Sequence, residues 1–393
     1  MSRRTIAIVS VALVVVLVLG IGVFALTRRH GAPTTTESES GVSRAPAGAQ
    51  PSGTVTGIGS GGTATGPWYE LHFTAPVYPD NPANHKDGLD SHLVALMDRA
   101  TKTMDVADYD FDLGDVTDAM VRAKKRGVIV RMVTDTDTLT SKNKDIQAAF
   151  GKLKGASIPI VDDQRGPIMH NKFTVVDNEW VETGSWNYTD GDTYHLNNNQ
   201  IVMHNAQLAQ NYTTEFDKMF DKHTFGPNKA KGVPNPVVTI DGTRVENYFA
   251  AEDDTIGNIV RTVNGAKQSV SFLAFSFTQD DIGNAIIAKQ KAGLTVGGVF
   301  ETTGSQVPTS EYGKMKKAGL DVYTDGNPWV MHHKVIVIDD HITIFGSFNF
   351  SDNAAHSNDE NLLIVDNPEI ARAFKAEYDR VLTLAKNPPA KKK

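Results

Sequence analysis

Two short segments of this 393-residue chain place a histidine two residues ahead of a lysine: His170 and Lys172 in MHNKFTVVDNEWVETGSWNY, and His332 and Lys334 in MHHKVIVIDDHITIFGSFNF. Imidazole titrates near neutral pH, so it can serve as nucleophile, general base or, once protonated, general acid. An ammonium beside it neutralises anionic oxygen. A lone His-x-Lys is most simply a polar pair at the mouth of a strand, but this one recurs with its surroundings. His170, Lys172, Asp177, Gly184, Ser185 and Asn187 are followed, at a constant offset of 162, by His332, Lys334, Asp339, Gly346, Ser347 and Asn349, and the register holds to Asn199 and Asn361. With each identity at about 5%, six matches at one offset arise by chance at ~10⁻⁸.

The elements that must position these groups repeat as well. The apolar run 335–338 reads as a buried parallel strand. Side chains alternate along a strand, so His332 and Lys334 share a face and His333 points to the other. Upstream the offset becomes 166: VADYDF (106–111) falls on FLAFSF (272–277), and RGVIVRMV (126–133) on AGLTVGGV (292–299). Each half reads as an apolar strand, an amphipathic helix (116–125; 282–291), a strand opening at a glycine, a second helix (146–154; 312–317) and the His-x-Lys strand. This alternation predicts an α/β layered domain with a largely parallel or mixed sheet.

The doubled pattern H-x-K-x4-D-x6-G-S-x-N resembles the phospholipase D superfamily, over nearly everything from Trp68 to about residue 384. The resemblance implies two similar α/β/α layered halves packed as an intramolecular pseudo-dimer in a monomer, with one active site at their junction. It also implies phosphodiester cleavage without a metal or other cofactor. Such a reaction needs an in-line nucleophile, a proton for the leaving oxygen and positive charge around the phosphoryl oxygens. Two histidines supply the first two, through a covalent phosphohistidine. Lys172, Lys334 and the amides of Asn187 and Asn349 would cradle the phosphate, with Ser185 and Ser347 as further donors and Gly184 and Gly346 admitting close backbone approach.

The family commonly makes the N-terminal histidine the nucleophile, which here is His170, leaving His332 as general acid and base. Many members also carry a carboxylate just before the asparagine that ends the motif region, read as holding the histidine of its own half. Glu360 fills that place in the second half and Asn198 in the first. On that reading Glu360 orients His332 and favours its imidazolium, while Asn198 orients His170. Asp177 and Asp339, the motif's third letter and grouped with its catalytic residues, follow lysine by five residues at a strand end, where fixing a turn is favoured over proton transfer. Asp108 and Asp110 line the pocket or form a solvated strand end. His195, His204, His223, His341 and His356 have no repeated partner and read as surface or capping residues.

Residues 5–26 carry no charge, are dominated by Val, Leu, Ile and Ala, and at about 1.5 Å per residue are long enough to cross a bilayer. A cleaved signal peptide competes, with Val23-Phe24-Ala25 as the cleavage site. The apolar core exceeds the usual signal length of about 7–15 residues, which favours an uncleaved single-pass anchor on a bacterial extracytoplasmic enzyme over a secreted one. The expected organisation is an anchor (1–30), a disordered Gly/Thr/Ser/Ala-rich stalk (31–67), a first half (68–226), a Pro/Gly-rich connector (227–236), a second half (237–386) closed by a helix at 370–385, and a basic tail (387–393). The chain has no cysteine, which neither requires nor excludes an oxidising compartment.

Formal charge is −7, and residues 1–67 hold five Arg against two Glu, so the body carries −10. A protein gripping long nucleic acid usually shows a basic stripe. The acidic body and the anchor therefore favour a phospholipid substrate at a membrane surface. Nucleic acid is the alternative substrate within the same superfamily. A phosphatidyltransferase of cardiolipin-synthase type usually carries two close spans and is weaker, and a non-catalytic phosphate binder is weakest because both motif sets are intact.

Overall fold

A computed structural model describes residues 62–389 and the short strand Thr54–Thr56. Each half is built on one mixed sheet with its motif strand in the middle. In the first half Lys172–Val176 is flanked on one side by Thr103–Asp108, Ile129–Thr134 and Ile160–Asp162, and on the other by Trp180–Gly184, Asn199–His204, Tyr69–Phe73, Thr63–Thr65 and Thr54–Thr56. The second half repeats this order around Lys334–Ile338, with Ser269–Ala274, Thr295–Phe300 and Asp321–Thr324 on one side and Ile342–Gly346, Glu360–Asp366, Thr243–Ala250 and Val237–Ile240 on the other.

The buried motif strand is not parallel as its apolar run suggested. Lys334–Ile338 pairs antiparallel with both Ser269–Ala274 and Ile342–Gly346, and Lys172–Val176 does the same in its sheet. The reason lies in the next residues. Asp177 and Asn178, and likewise Asp339 and Asp340, stand at φ between 52° and 56°, the left-handed conformation that short polar side chains tolerate and tight hairpins use. Glu179 N–H closes the first turn on the Val176 carbonyl (3.0 Å) and His341 N–H the second on Ile338 (3.0 Å). Each motif strand therefore folds straight back on itself. The parallel pairs lie to one side, among Thr103–Asp108, Ile129–Thr134 and Ile160–Asp162 in the first half and Ser269–Ala274, Thr295–Phe300 and Asp321–Thr324 in the second.

Helices cover both faces of both sheets, which is why the motif strands are apolar throughout. Leu89–Arg99, Gly114–Lys125 and Lys144–Gly155 pack outside the first sheet, and Thr255–Gly265, Asp280–Lys291 and Glu311–Lys317 outside the second. Between the sheets lie Ala206–Phe220 and Pro368–Lys386, again 162 residues apart, each capped by an asparagine: Asn205 Oδ1 accepts from Leu208 N–H (2.9 Å) and Asn367 Oδ1 from Glu369 N–H (2.9 Å). Their apolar faces, Leu208, Tyr212 and Phe216 on one and Ile370, Phe374 and Tyr378 on the other, share a single core with Phe173, Val175, Val335 and Val337 of the motif strands. At ~1.5–3 kcal/mol per large buried side chain, this inner layer contributes to holding the two halves together.

The expected stalk ends earlier than residue 67, because Thr54–Thr56 and Thr63–Thr65 are strands of the first sheet. Among the described residues no helix is long and apolar enough to cross a membrane. The anchor expected at 5–26 and the last residues of the basic tail lie outside the described residues.

Candidate active site

The histidines sit in the short segments that lead into the motif strands, and each segment is stitched to the other half. His170 N–H donates to the Asp359 carbonyl (2.9 Å), and His332 N–H to the Asn197 carbonyl (3.0 Å). Val330–Met331 extends the second contact by pairing with Leu196–Asn197. The two His-x-Lys pairs thus meet at the junction between the halves. Lys172 Nζ donates to the His170 carbonyl (3.1 Å) and Lys334 Nζ to the His332 carbonyl (2.7 Å). Aromatic rings at equivalent positions cover both pairs: Tyr109 lies 5.2 Å from the His170 ring and 5.3 Å from Lys172 Nζ, Phe275 4.7 Å from each counterpart.

The orienting groups also cross between halves, which corrects the own-half pairing read from the sequence. Glu360 Oε2 accepts from His170 Nδ1 at 2.7 Å, and Asn198 Oδ1 from His332 Nδ1 at 3.0 Å. Packing of the strand ends decides this, since the residue before Glu360 is already bridged to Met169. With Nδ1–H so committed, Nε2 of each ring is left for chemistry.

Ser185 and Ser347, expected to donate to phosphate, spend their hydroxyl protons on these holders: Ser185 on Asn198 Oδ1 (2.8 Å) and Ser347 on Glu360 Oε2 (2.7 Å). Asn187 Nδ2 donates to Asp192 Oδ1 (3.1 Å), and the Oδ1 atoms of Asn187 and Asn349 are buried without a partner, so both amides keep hydrogen-bonding capacity to spare. Gly184 and Gly346 do allow a close approach, but by the neighbouring strand: a Cβ there would overlap the carbonyls of Asn199 and Asn361.

Asp177 and Asp339 are not brought to the site. Asp177 collects the backbone N–H groups of Thr101, Lys102 and Thr103, and Asp339 those of Lys267, Gln268 and Ser269, at the far end of the motif strands. These bonds hold both carboxyls below their usual range despite partial burial. They anchor turns and do not belong among the catalytic residues. His333 points away from the site, accepting from Asn199 Nδ2 (2.9 Å) and donating to Glu377 (2.9 Å).

One residue escaped the sequence reading. Asp192 Oδ1 lies 3.4 Å from His332 Nδ1 and accepts from Asn198 Nδ2 (3.1 Å), turning the Asn198 carbonyl toward the imidazole. At the same offset of 162 the second half has Ala354 against Asp192, and Glu360 against Asn198. Two differences in register, a carboxylate lost at one place and gained at the other, were the available signal. Asp108 is likewise not solvated but buried directly across the strand pair from Lys172, while Asp110 is half-buried near the same lysine.

Burial dominates the electrostatics. It drives His170 and His332 well below the ordinary histidine range, with Lys172 and Lys334 adding repulsion, and it lowers both lysines. It pushes Glu360 up to about 8 against the pull of Lys172 and Ser347, Asp110 to about 6, and Asp192 upward.

A profile described as "Cardiolipin synthase, PLD-like domain" matches residues 93–220 and again 259–382, once per half and more than half of the chain. The chain belongs to this phospholipase D-like family. It is a phosphodiesterase-type enzyme. Human mitochondrial cardiolipin hydrolase is 30% identical over 129 residues, 33% of this chain and 51% of that protein, so the match spans about half that relative's length. A phospholipase D of Rickettsia prowazekii (strain Madrid E) is 25% identical over 162 residues, 41% of this chain and 79% of its own. The crystal structure of phosphatidylserine synthase from Haemophilus influenzae superposes with a TM-score of 0.59 at 12% identity, covering 76% of this chain and 84% of that one, a likeness of fold alone. In this phospholipase D-like enzyme one motif comes from each half, and each motif histidine is held by a residue of the other half.

Proposed function

We propose that the chain hydrolyses phospholipid head-group phosphodiesters through a phosphohistidine on His170. The observation that carries this reading is the exchange of holders. His170 gives its Nδ1–H to a carboxylate, Glu360, which stabilises the positive charge that grows on the imidazole as Nε2 bonds phosphorus. His332 gives its Nδ1–H to a neutral amide, with the Asp192 carboxylate further off at 3.4 Å, a weaker support for imidazolium than Glu360 gives at 2.7 Å, which makes His332 the sharper acid. These are the roles the family resemblance implies, supported here by the carboxylate at His170 rather than at His332.

His170 Nε2 attacks phosphorus, the bond to the head-group oxygen breaks, and that oxygen takes the proton of His332 Nε2–H. Lys172 and Lys334 neutralise the phosphoryl oxygens, so no step is routed through a metal. Neutral His332 then removes a proton from water. The resulting hydroxide attacks phosphorus, the P–N bond breaks, and its electron pair returns to His170. Phosphatidic acid leaves and His332 is protonated again.

Lipid rather than nucleic acid is favoured by the −10 body and by the relatives, a cardiolipin hydrolase and a phospholipase D. The apolar stretch 5–26 would hold the enzyme at a membrane as a single-pass anchor with the catalytic body outside the cytoplasm. The test offers the full chain mixed micelles of phosphatidylcholine, phosphatidylethanolamine and phosphatidylglycerol with some ethanol, and single-stranded DNA in parallel, with and without EDTA. Phosphatidic acid and phosphatidylethanol form, EDTA does not abolish them, and both His170→Ala and His332→Ala do. DNA cleavage with untouched lipid would instead make the chain a nuclease using the same two histidines.

A further inference from the structure

Away from the two motifs, three residues from two segments converge on one point. Asp80 and His85 lie in the loop between Tyr69–Phe73 and Leu89–Arg99, which is preformed by the turn Pro82–Asn84 with Asn81 Oδ1 accepting from Ala83 N–H (3.1 Å). His195 follows the short helix Asp190–Tyr194. One ligand atom from each lies within 4.8 Å of the others. Asp80 Oδ1 stands 2.8 Å from His85 Nε2, and Asp80 Oδ2 3.1 Å from His195 Nε2.

Three features distinguish this cluster from a surface ion pair. Both ring nitrogens of His85 face carboxylate oxygens, Nδ1 at 3.3 Å from Asp190 Oδ1 and Nε2 at 2.8 Å from Asp80 Oδ1. In the tautomer that gives Nδ1–H to Asp190, the Nε2 lone pair faces the Asp80 carboxylate 2.8 Å away, and the two can share a cation. A carboxylate behind a histidine is also the usual second layer of a metal site. Next, His195 Nε2 is buried yet satisfied by no hydrogen bond, because its approach to Asp80 is off line. Finally, both rings are held by stacking, His85 on Tyr194 at 4.1 Å and His195 on Trp329 at 4.6 Å, so little ordering would remain to be done on binding.

We propose that Asp80, His85 and His195 bind a divalent transition-metal ion of the Zn2+ class. Two imidazoles and one carboxylate are a donor set Zn2+ accepts at about 2.0–2.2 Å, in a tetrahedron whose corners are about 3.3 Å apart, and the exposed Asp80 leaves water the fourth corner. The ion is structural and stands apart from the phosphoryl chemistry. It clamps the Asp80–His85 loop to the segment that runs through Leu196–Asn197, the pair of Val330–Met331, into Asn198, the holder of His332. The inference stands independently of the proposed reaction.

The test uses the full chain, stripped with EDTA, exchanged into metal-free buffer and titrated with Zn2+, with Co2+ as the spectroscopic probe. One equivalent binds, Co2+ gives visible d–d bands of a nitrogen-and-oxygen site, Trp329 emission changes in step, and Zn2+ raises Tm by a few degrees. The double variant His85→Ala/His195→Ala, checked for an unchanged circular dichroism spectrum, loses all four responses, and Asp80→Asn weakens binding at least tenfold. Failure of the native chain to bind an equivalent, or equal binding by the double variant, overturns the site whether or not any variant folds.

Discussion

His170 and His332 carry one motif but stand in different fields, and the difference should be visible in which step each variant blocks. A lipid head group is a poor leaving group and needs the His332 proton, whereas p-nitrophenolate leaves without help. With a p-nitrophenyl phosphodiester, His332→Ala should release one equivalent of p-nitrophenol in a burst and then stall, because no base remains to activate water. Steady turnover should fall by about 10²–10⁴-fold, and acid quenching should trap the phosphoryl group on His170. His170→Ala should show neither burst nor turnover. Asp192→Asn should behave as a milder His332 variant, slow on lipid and nearly normal in the burst, because its carboxylate faces His332 and not His170. A burst in His170→Ala, or a phosphohistidine on His332, would reverse the assignment.

The elements that hold these rings were legible to different degrees, for physical reasons. A repeat at constant offset exposes His170, Lys172, His332 and Lys334 because catalysis fixes residue type as well as pattern, and the helices at 116–125 and 282–291 emerge as Gly114–Lys125 and Asp280–Lys291 because one face of each must be apolar. Strand direction was not legible: a strand covered on both faces is apolar whether its neighbours run with it or against it, and only the Asp-Asn and Asp-Asp turns betray the hairpins. Thr54–Thr56 and Thr63–Thr65 are too short to show alternation. The crossing of Glu360 to His170 could not be read at all, since it arises where two halves pack. It depends on the strand pair Ile342–Gly346 and Glu360–Asp366 keeping register. Gly346, at φ 147° with no room for a Cβ against the Asn361 carbonyl, is the point where that register is tightest. Gly346→Ala should cost about 1–3 kcal/mol in urea unfolding and slow formation of the phosphohistidine, while the equivalent change at exposed Gly313 should do neither.

At the scale of the molecule, the halves behave as one body because their shared inner core is joined by buried charge. Lys229, in the connector read as a simple Pro/Gly-rich link, is fully buried and pairs with Glu215 of the first half and with Glu252 (3.2 Å) and Asp359 (2.7 Å) of the second. Although burial opposes its charge, Asp359, Glu215 and Glu252 hold Lys229 above its ordinary range. Arg165 of the first half meets the same Asp359 at 2.5 Å, and the Asp359 backbone carbonyl accepts the His170 N–H. The network that fastens the halves therefore also seats His170. Lys229→Met keeps the volume but leaves three carboxylates short of a partner, and removing one member of a buried ionic cluster costs about 3–5 kcal/mol. Urea unfolding should remain a single transition, because the inner core is common to both halves, but its midpoint should fall sharply. Turnover on lipid and the p-nitrophenol burst should fall together, since both begin at His170. Two separate transitions in the native chain, or a destabilised Lys229→Met with an unchanged burst, would show that the halves fold apart and that the network fastens them without positioning the histidine.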